Sequence, residues 1–193
     1  MIKRSQSAKT REQLILAGVE ELNTFGIHDF STRRVAKNCG VSCAAPYKHF
    51  RDTHEFISEI LGYINLRYYE RQQKVLERFK DADARTQLLE VSLDYIRFLV
   101  ENPEFRRVIM QNYTGCDDTY RDLRGELSAV TYKIVARYCD EVKTPPEVRK
   151  RKTFIVRSII YGAAMFFDNG EMEFNSESMK MIEEMLDREF DLP

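Results

Sequence analysis

Apolar residues recur every three or four positions along most of this chain, the period of a helix that buries one stripe. Leu14, Ile15, Gly18, Val19, Leu22 and Phe25 trace the first stripe, behind Thr10 and Gln13 in capping-box spacing and ahead of Gly26, a residue suited to a left-handed stop. The pattern predicts a helix over 11–25. Ser31 then caps a short helix with Val35 and Ala36 inward, and Cys39-Gly40-Val41-Ser42 supplies a turn whose glycine permits positive φ. A third short helix is expected over 43–50, with Pro46 near its first turn, where few amides have intrahelical partners. Asp52 and Glu55 repeat the capping spacing before Phe56, Ile57, Ile60, Leu61, Ile64, Tyr68 and Val75. The helix they predict, over 52–79, spans about 40 Å at 1.5 Å per residue and is long enough to tie two domains together. Breaks at 80–84, Asn102-Pro103, 115–118, Thr144-Pro145-Pro146 and 169–176 leave further helices over 85–101, 104–112, 119–142, 147–168 and 177–190. No strand and no internal repeat is read, so the expected fold class is all-α with about nine helices. A three-helix head over 1–51 precedes a larger helical body over 52–193.

Composition narrows this picture without redirecting it. With 193 residues, 43% hydrophobic, 32% charged and only 8 Gly and 5 Pro, the chain can bury a sizeable core, and a collagen-like or broadly disordered chain is excluded. The longest apolar run, Ile159 to Phe167, is well short of the roughly 20 residues a membrane span needs. Leu14 to Val19 is too short for a signal-peptide core, so a cytoplasmic location is expected. Cys39, Cys43, Cys116 and Cys139 are expected as free thiols in that reducing compartment. The net charge of −1 hides an asymmetry: residues 1–51 hold nine Lys/Arg against four Asp/Glu, a net +5, which leaves −6 for the remainder. A small basic segment joined to a larger acidic one points to a polyanion as partner of the first and a different task for the second.

The residues around the Gly40 turn give that polyanion a form. Two short helices across a tight turn are the parts of a helix-turn-helix, whose second helix enters the major groove of DNA. Ser31, Thr32, Arg33 and Arg34 open the first of the pair, while Ser42, Tyr47, Lys48 and His49 lie on or beside the second. Hydroxyls, a guanidinium fork and an ammonium suit phosphates and base edges. The competing reading is an ordinary solvated helix face.

The stretch Ser31-Thr32-Arg33-Arg34-Val35-Ala36-Lys37-Asn38-Cys39-Gly40-Val41-Ser42-Cys43-Ala44-Ala45-Pro46-Tyr47-Lys48-His49-Phe50 closely resembles the DNA-binding head of TetR-family transcriptional regulators. Phe25-Gly26 sits where that family ends its first helix, and the match covers about residues 10–61. A weaker resemblance, Tyr95-Ile96-Arg97-Phe98 with Glu101-Asn102-Pro103-Glu104-Phe105, falls in the ligand-binding domain of one branch of the family. The resemblance implies that Thr32 and Arg33 reach a phosphate or a base, that Cys43, Ala44 and Tyr47 face the groove, and that Lys48 and His49 touch the DNA backbone. Thr53 stands where the family usually has a phosphate-gripping lysine, and Arg51 or the arm of Lys3, Arg4 and Lys9 is available to compensate. Cys43, Ala44 and Ala45 can pack on thymine methyls but cannot make a bidentate guanine contact, which leaves Arg33 as the candidate for one.

The same resemblance implies a homodimer on a palindromic double-stranded operator, because two recognition elements about 34–36 Å apart meet successive major-groove faces. It makes the last two helices the dimer interface, with Ile159, Ile160, Ala163, Ala164, Phe167, Met181, Ile182, Met185 and Leu186 as candidate contacts. It further implies a small-molecule effector held between the long fourth helix and the eighth, and repression as the commoner mode. Tyr63, Tyr69, Phe98, Met110, Tyr113, Phe166 and Phe167 are candidates to line that pocket, with core packing as the competing reading of each. No metal or cofactor is expected: Cys39, Cys43, His49 and His54 lack the spacing of a zinc finger. Arg149-Lys150-Arg151-Lys152 reads as a localisation signal, a second nucleic-acid patch or a solvated helix start, and its four cations oppose the local helix dipole. Cys43 is a candidate redox sensor beside a helix start. Nucleophile elbows, phosphate loops and metalloprotease motifs are missing, so an enzyme is not expected. The rival classes are a helical interaction module without DNA binding and a cofactor-free enzyme using the body as a pocket.

Overall fold

The computed structural model describes residues 2–111 and 114–191. Among these the chain is helical throughout, with no strand: α1 (Ile2–Phe25), α2 (Thr32–Asn38), a single 3₁₀ turn (Pro46–Lys48), α3 (Thr53–Arg78), α4 (Ala84–Glu101), α5 (Pro103–Met110), α6 (Asp118–Glu126), α7 (Ala129–Glu141), α8 (Pro146–Asp168) and α9 (Ser176–Asp191). The all-α expectation holds, and most boundaries fall within a residue or two of the periodicity.

Three expected elements differ. The first helix begins at Ile2 and not at Arg11, so Thr10 and Gln13 lie inside it and not at its start. Residues 2–10 contain no Gly or Pro, and nothing in them stops the helix from propagating upstream. The third helix is one 3₁₀ turn and not an eight-residue helix. Pro46 has no N–H to offer the carbonyl of Ser42, which accepts from Ala45 three residues on at 2.8 Å, and the chain winds by i+3 steps through Lys48 and His49. The helix expected over 119–142 is two, α6 and α7, parted at Leu127 and Ser128. Ser128 makes no side-chain cap there, and the weak helix formers Gly125 and Ser128 bracket the break.

The chain forms two compact units, one running to Arg67 and including Glu104–Leu127, the other comprising Tyr68–Pro103 and Ser128 onwards. In the first, Leu14, Val19 and Leu22 of α1, Val35 and Ala36 of α2, and Phe56, Ile60 and Ile64 of α3 form the core. Phe56 stacks on Phe50 at 4.1 Å and meets Phe30 edge-on at 5.5 Å, which seats both loop aromatics. Gly18 lets α1 and α3 approach: a Cβ there would lie 2.4 Å from Cδ1 and 3.1 Å from Cγ1 of Ile60. In the second unit α4 packs against α7, α8 and α9. Its buried positions, Leu88, Leu89, Val91, Leu93, Ile96 and Leu99, therefore run around most of the helix and form no single stripe. Gln87, 6% exposed, closes the α3–α4 turn by donating to the Phe79 carbonyl at 2.8 Å and accepting from Arg137 at 2.5 Å.

Candidate nucleic-acid interface

The head is built around the α2 start. Ser31 takes an extended backbone (φ −126°, ψ 104°) and its hydroxyl accepts the Arg34 amide at 3.4 Å, as expected of a cap. Residues that the periodicity left unread do more. Glu21, on the inner face of α1, is 2% exposed and its Oε1 accepts the Ser31 amide at 3.0 Å and Arg34 Nε at 2.7 Å. Arg34 also donates to the Asp29 carbonyl and lays its guanidinium 4.0 Å above the Phe25 ring. It thereby fastens the end of α1 to the start of α2 and has little left for a ligand. Arg33, one position earlier and turned away, is exposed.

The turn after α2 is a complete Schellman closure. Gly40 has φ 67°, its amide donates to the Lys37 carbonyl, and the Val41 amide donates to the Ala36 carbonyl, both at 3.0 Å. Cys39 is half-buried beside it, its thiol directed at the Gln13 carbonyl 3.6 Å away, and burial pushes that thiol's pKa up. Cys39 thus packs as a small core residue and not as a reactive thiol.

Beyond the turn, Pro46 and Phe50 are buried, four residues apart on the inner side, so the residues between them turn outward. Tyr47 is 54% exposed; Ser42, Cys43, Ala44 and Lys48 are exposed, and Ala45 and His49 half-buried. α3 opens with the expected cap: Asp52 accepts the Glu55 amide at 2.8 Å, and Glu55 accepts the Arg51 amide at 2.5 Å. The cap N–H, helped by Arg51, holds the Asp52 carboxyl below its usual range. Thr32 is 7% exposed and its hydroxyl sits 3.2 Å from that of Thr53, so these two side chains face each other across the head. Arg51 reaches into solvent, with Nε 3.1 Å from Asp52. Lys9 is exposed on α1. Arg33, Lys37, Ser42, Cys43, Ala44, Tyr47 and Lys48 are thus a run of exposed side chains on one helix, one turn and one 3₁₀ segment. Hydroxyls, two ammoniums, a guanidinium and small apolar groups make that run chemically suited to a polyanion with readable edges.

The remaining candidates are dispersed. Tyr63 meets Phe105 edge-on at 6.2 Å, and Met110 is half-buried, both in the first unit. Phe98 is 3% exposed and packs 4.9 Å from Tyr68 in the second unit, where Tyr69 and Phe166 are about half exposed. Tyr113 lies outside the described residues. Of the interface candidates, Ile160, Ala163, Ala164, Ile182 and Leu186 are buried within their own unit. Ile159 and Phe167 are half-buried, the latter 5.1 Å from Phe174, whereas Met181 and Met185 are exposed. The cation run is not a uniformly solvated face. Lys152 is 8% exposed and donates to the Glu189 carbonyl at the end of α9 at 2.5 Å, and Arg149 pairs with Asp140 at 3.1 Å. These cations serve the ends of other helices, which accounts for their place at an unfavourable end of their own.

Residues 14–60 match the family of bacterial regulatory proteins, tetR family. Nucleoid occlusion factor SlmA of Aliivibrio fischeri is 26% identical over 156 residues, 80% of this chain and 77% of that protein. A TetR family transcription regulator from Marinobacter aquaeolei has the same fold, with a TM-score of 0.74, 20% identity and 98% of each chain covered. NalD of Pseudomonas aeruginosa, the secondary repressor of the MexAB-OprM multidrug efflux pump, superposes with a TM-score of 0.63 at 20% identity, over 95% of this chain and 96% of that one.

Proposed function

We propose that this chain, whose residues 14–60 match the tetR family of bacterial regulatory proteins, is a TetR-type transcriptional regulator with a helix-turn-helix head that works in the cytoplasm as a homodimeric repressor, released from a palindromic operator by a small-molecule effector. The observation that carries the reading is the division of labour in the head. Glu21, Arg34, Thr32, Thr53, Pro46 and Phe50 are spent on holding the turn, while Arg33, Lys37, Tyr47 and Lys48 are spent on nothing inside the protein and stand in solvent. In this reading Arg33 contacts a base or phosphate, Cys43, Ala44, Ala45 and Tyr47 meet the groove, and Ser42, Lys48 and His49 touch the backbone. Thr32 and Thr53, whose hydroxyls are taken up by each other, offer the DNA backbone only their amides at the starts of α2 and α3, in place of the family's usual lysine.

Dimerisation is supported by apolar surface left uncovered on the last two helices. Phe154 is 72% exposed, Met165 52% and Phe166 49% on α8, with Met181 at 46% and Met185 at 48% on α9. A surface of this kind on the two helices marks an association site. Repression and effector release rest on family likeness and on the repressor named among the structural neighbours. The nucleoid occlusion factor among the relatives favours a second reading, in which DNA binding serves nucleoid occlusion and not transcription.

An electrophoretic shift with DNA from upstream of the protein's own gene tests the leading reading. A discrete complex of two protomers per palindromic site is expected, with transcript from that promoter rising in a deletion strain. No complex on that DNA, or a shift indifferent to sequence, refutes it. Unchanged transcript together with misplaced nucleoids would favour the second reading.

A further inference from the structure

The second unit contains a cleft of about 510 Å³ to which nothing above assigns a role. It opens between the end of α7, the turn over 142–145, the first turns of α8, and the adjoining ends of α4 and α9. The volume lies within the roughly 300–1,000 Å³ of small-molecule sites. Its apolar wall comes from Val142, Pro145, Val148, Phe190 and the ring of Tyr138, whose hydroxyl is consumed by donating to the Phe190 carbonyl at 2.6 Å.

Three cations line this wall, and two are already balanced. Arg85 donates to Asp187 at 2.6 Å and to Asp191 at 2.8 Å, and Lys152 donates to the Glu189 carbonyl at 2.5 Å with that residue's carboxylate 4.0 Å away. Lys143 is exposed and, among the described residues, has no carboxylate partner. Its backbone is the second unusual feature. At φ 54° it is the one described residue other than glycine in the left-handed region, at the position closing α7 where the Thr144 amide donates to the Cys139 carbonyl at 2.8 Å. Glycine is the residue that takes this closing position without strain, so a lysine here gives up backbone ease for a side chain on the rim. The first turn of α8 lines the same wall, where the amides of Glu147 and Val148 have no intrahelical acceptor.

We propose that this cleft binds a small amphipathic monocarboxylate, its hydrocarbon body against Tyr138, Val148 and Phe190 and its carboxylate held by Lys143 with the opening amides of α8. Arg85 and Lys152 are met by Asp187, Asp191 and Glu189, so Lys143 is the cation of this wall that has no carboxylate of its own, which suits one anionic group at its tip, and the apolar wall suits a body of several carbons. The site is separate from the DNA-binding head and stands whether or not the head binds an operator.

Decanoate titrated into the full chain, followed by calorimetry and by NMR of the valine and methionine methyl groups, tests this. Saturable binding is expected, with the Val142 and Val148 methyl resonances shifting. Uncharged decanol should bind at least tenfold more weakly. Lys143→Gly, which suits the backbone and so keeps the fold, should raise the melting temperature, cut decanoate affinity at least tenfold and leave decanol unchanged. Absence of binding at millimolar decanoate, equal affinity in Lys143→Gly, or shifts confined to Met165, Met181 and Met185 would each overturn the proposal.

Discussion

Glu21 is a carboxylate enclosed to 2% exposure, and Arg34 is what makes that tolerable. Removing the cation leaves an uncompensated buried charge, while removing both restores a neutral contact. Arg34→Met is therefore expected to destabilise the fold by about 2 kcal/mol, discounted because Arg34 is partly exposed, and adding Glu21→Gln should recover more than half. Urea unfolding of the two variants checks this; additive losses would show that the pair is not coupled. Arg33→Ala, by contrast, should leave stability within about 0.5 kcal/mol. It should cost about 1–3 kcal/mol of operator binding at one base position, whereas Lys48→Ala should weaken all sequences alike. Binding to a panel of operator variants separates the two roles, and equal losses on every sequence would merge them. The sequence presents Arg33 and Arg34 as equivalent neighbours. What distinguishes them is a partner thirteen residues upstream, and the clue was present: Glu21 falls on the stripe of Leu14, Gly18 and Leu22, where an acid needs a cation to face it.

The element scale is where periodicity served best, because caps and turns are local. Ser31, Gly40, Asp52 and Gly26 act as their residue types predict, with Gly26 at φ 77°. Elements set by tertiary packing or by missing breakers were illegible, as the upstream extension of α1 and the α6–α7 break show. The caps carry a pH dependence. Asp52 and Asp83 are held below their ordinary 3.8 chiefly by the amides of Glu55 and Thr86, and Asp117 by the hydroxyl and amide of Thr119. A depressed folded-state pKa means that the unfolded chain binds more protons, so this stabilisation is present above pH about 4 and lost as pH falls through the folded values. The melting temperature should drop between about pH 5 and 3, and drop less in the triple Asp→Asn variant, which keeps caps without the titration. Circular-dichroism melts decide; parallel curves would assign the acid sensitivity elsewhere. At the α1–α3 crossing, Gly18→Val should destabilise by about 1–3 kcal/mol, since Ile60 is fully buried and Phe56 lies 3.4 Å from the added Cβ. Chemical denaturation measures it, and an unchanged midpoint would mean that the crossing is loose.

At the scale of the whole molecule, the proposed function puts DNA on the first 51 residues, where the net charge is +5, and self-association on α8 and α9, where apolar surface is left uncovered. The sequence could name those helices but not their outward positions: α8 and α9 carry apolar residues on two faces, and only packing shows that Ile182 and Leu186 are enclosed while Met181 and Met185 are not. Met181→Glu with Met185→Glu should leave the melting temperature of the protomer unchanged, yield monomers by sedimentation, and weaken operator binding at least tenfold. Retained dimers would move the interface elsewhere. The central claim is that the head grips duplex DNA through its exposed cations as a pair, and the most direct measurement is the salt dependence of binding to the upstream DNA by fluorescence anisotropy. Neutralisation of six or more phosphates by two heads predicts an affinity loss of about a thousandfold between roughly 50 and 200 mM salt, with a shallower slope for Lys48→Ala. A flat salt dependence, or a slope that Lys48→Ala leaves unaltered, would contradict it.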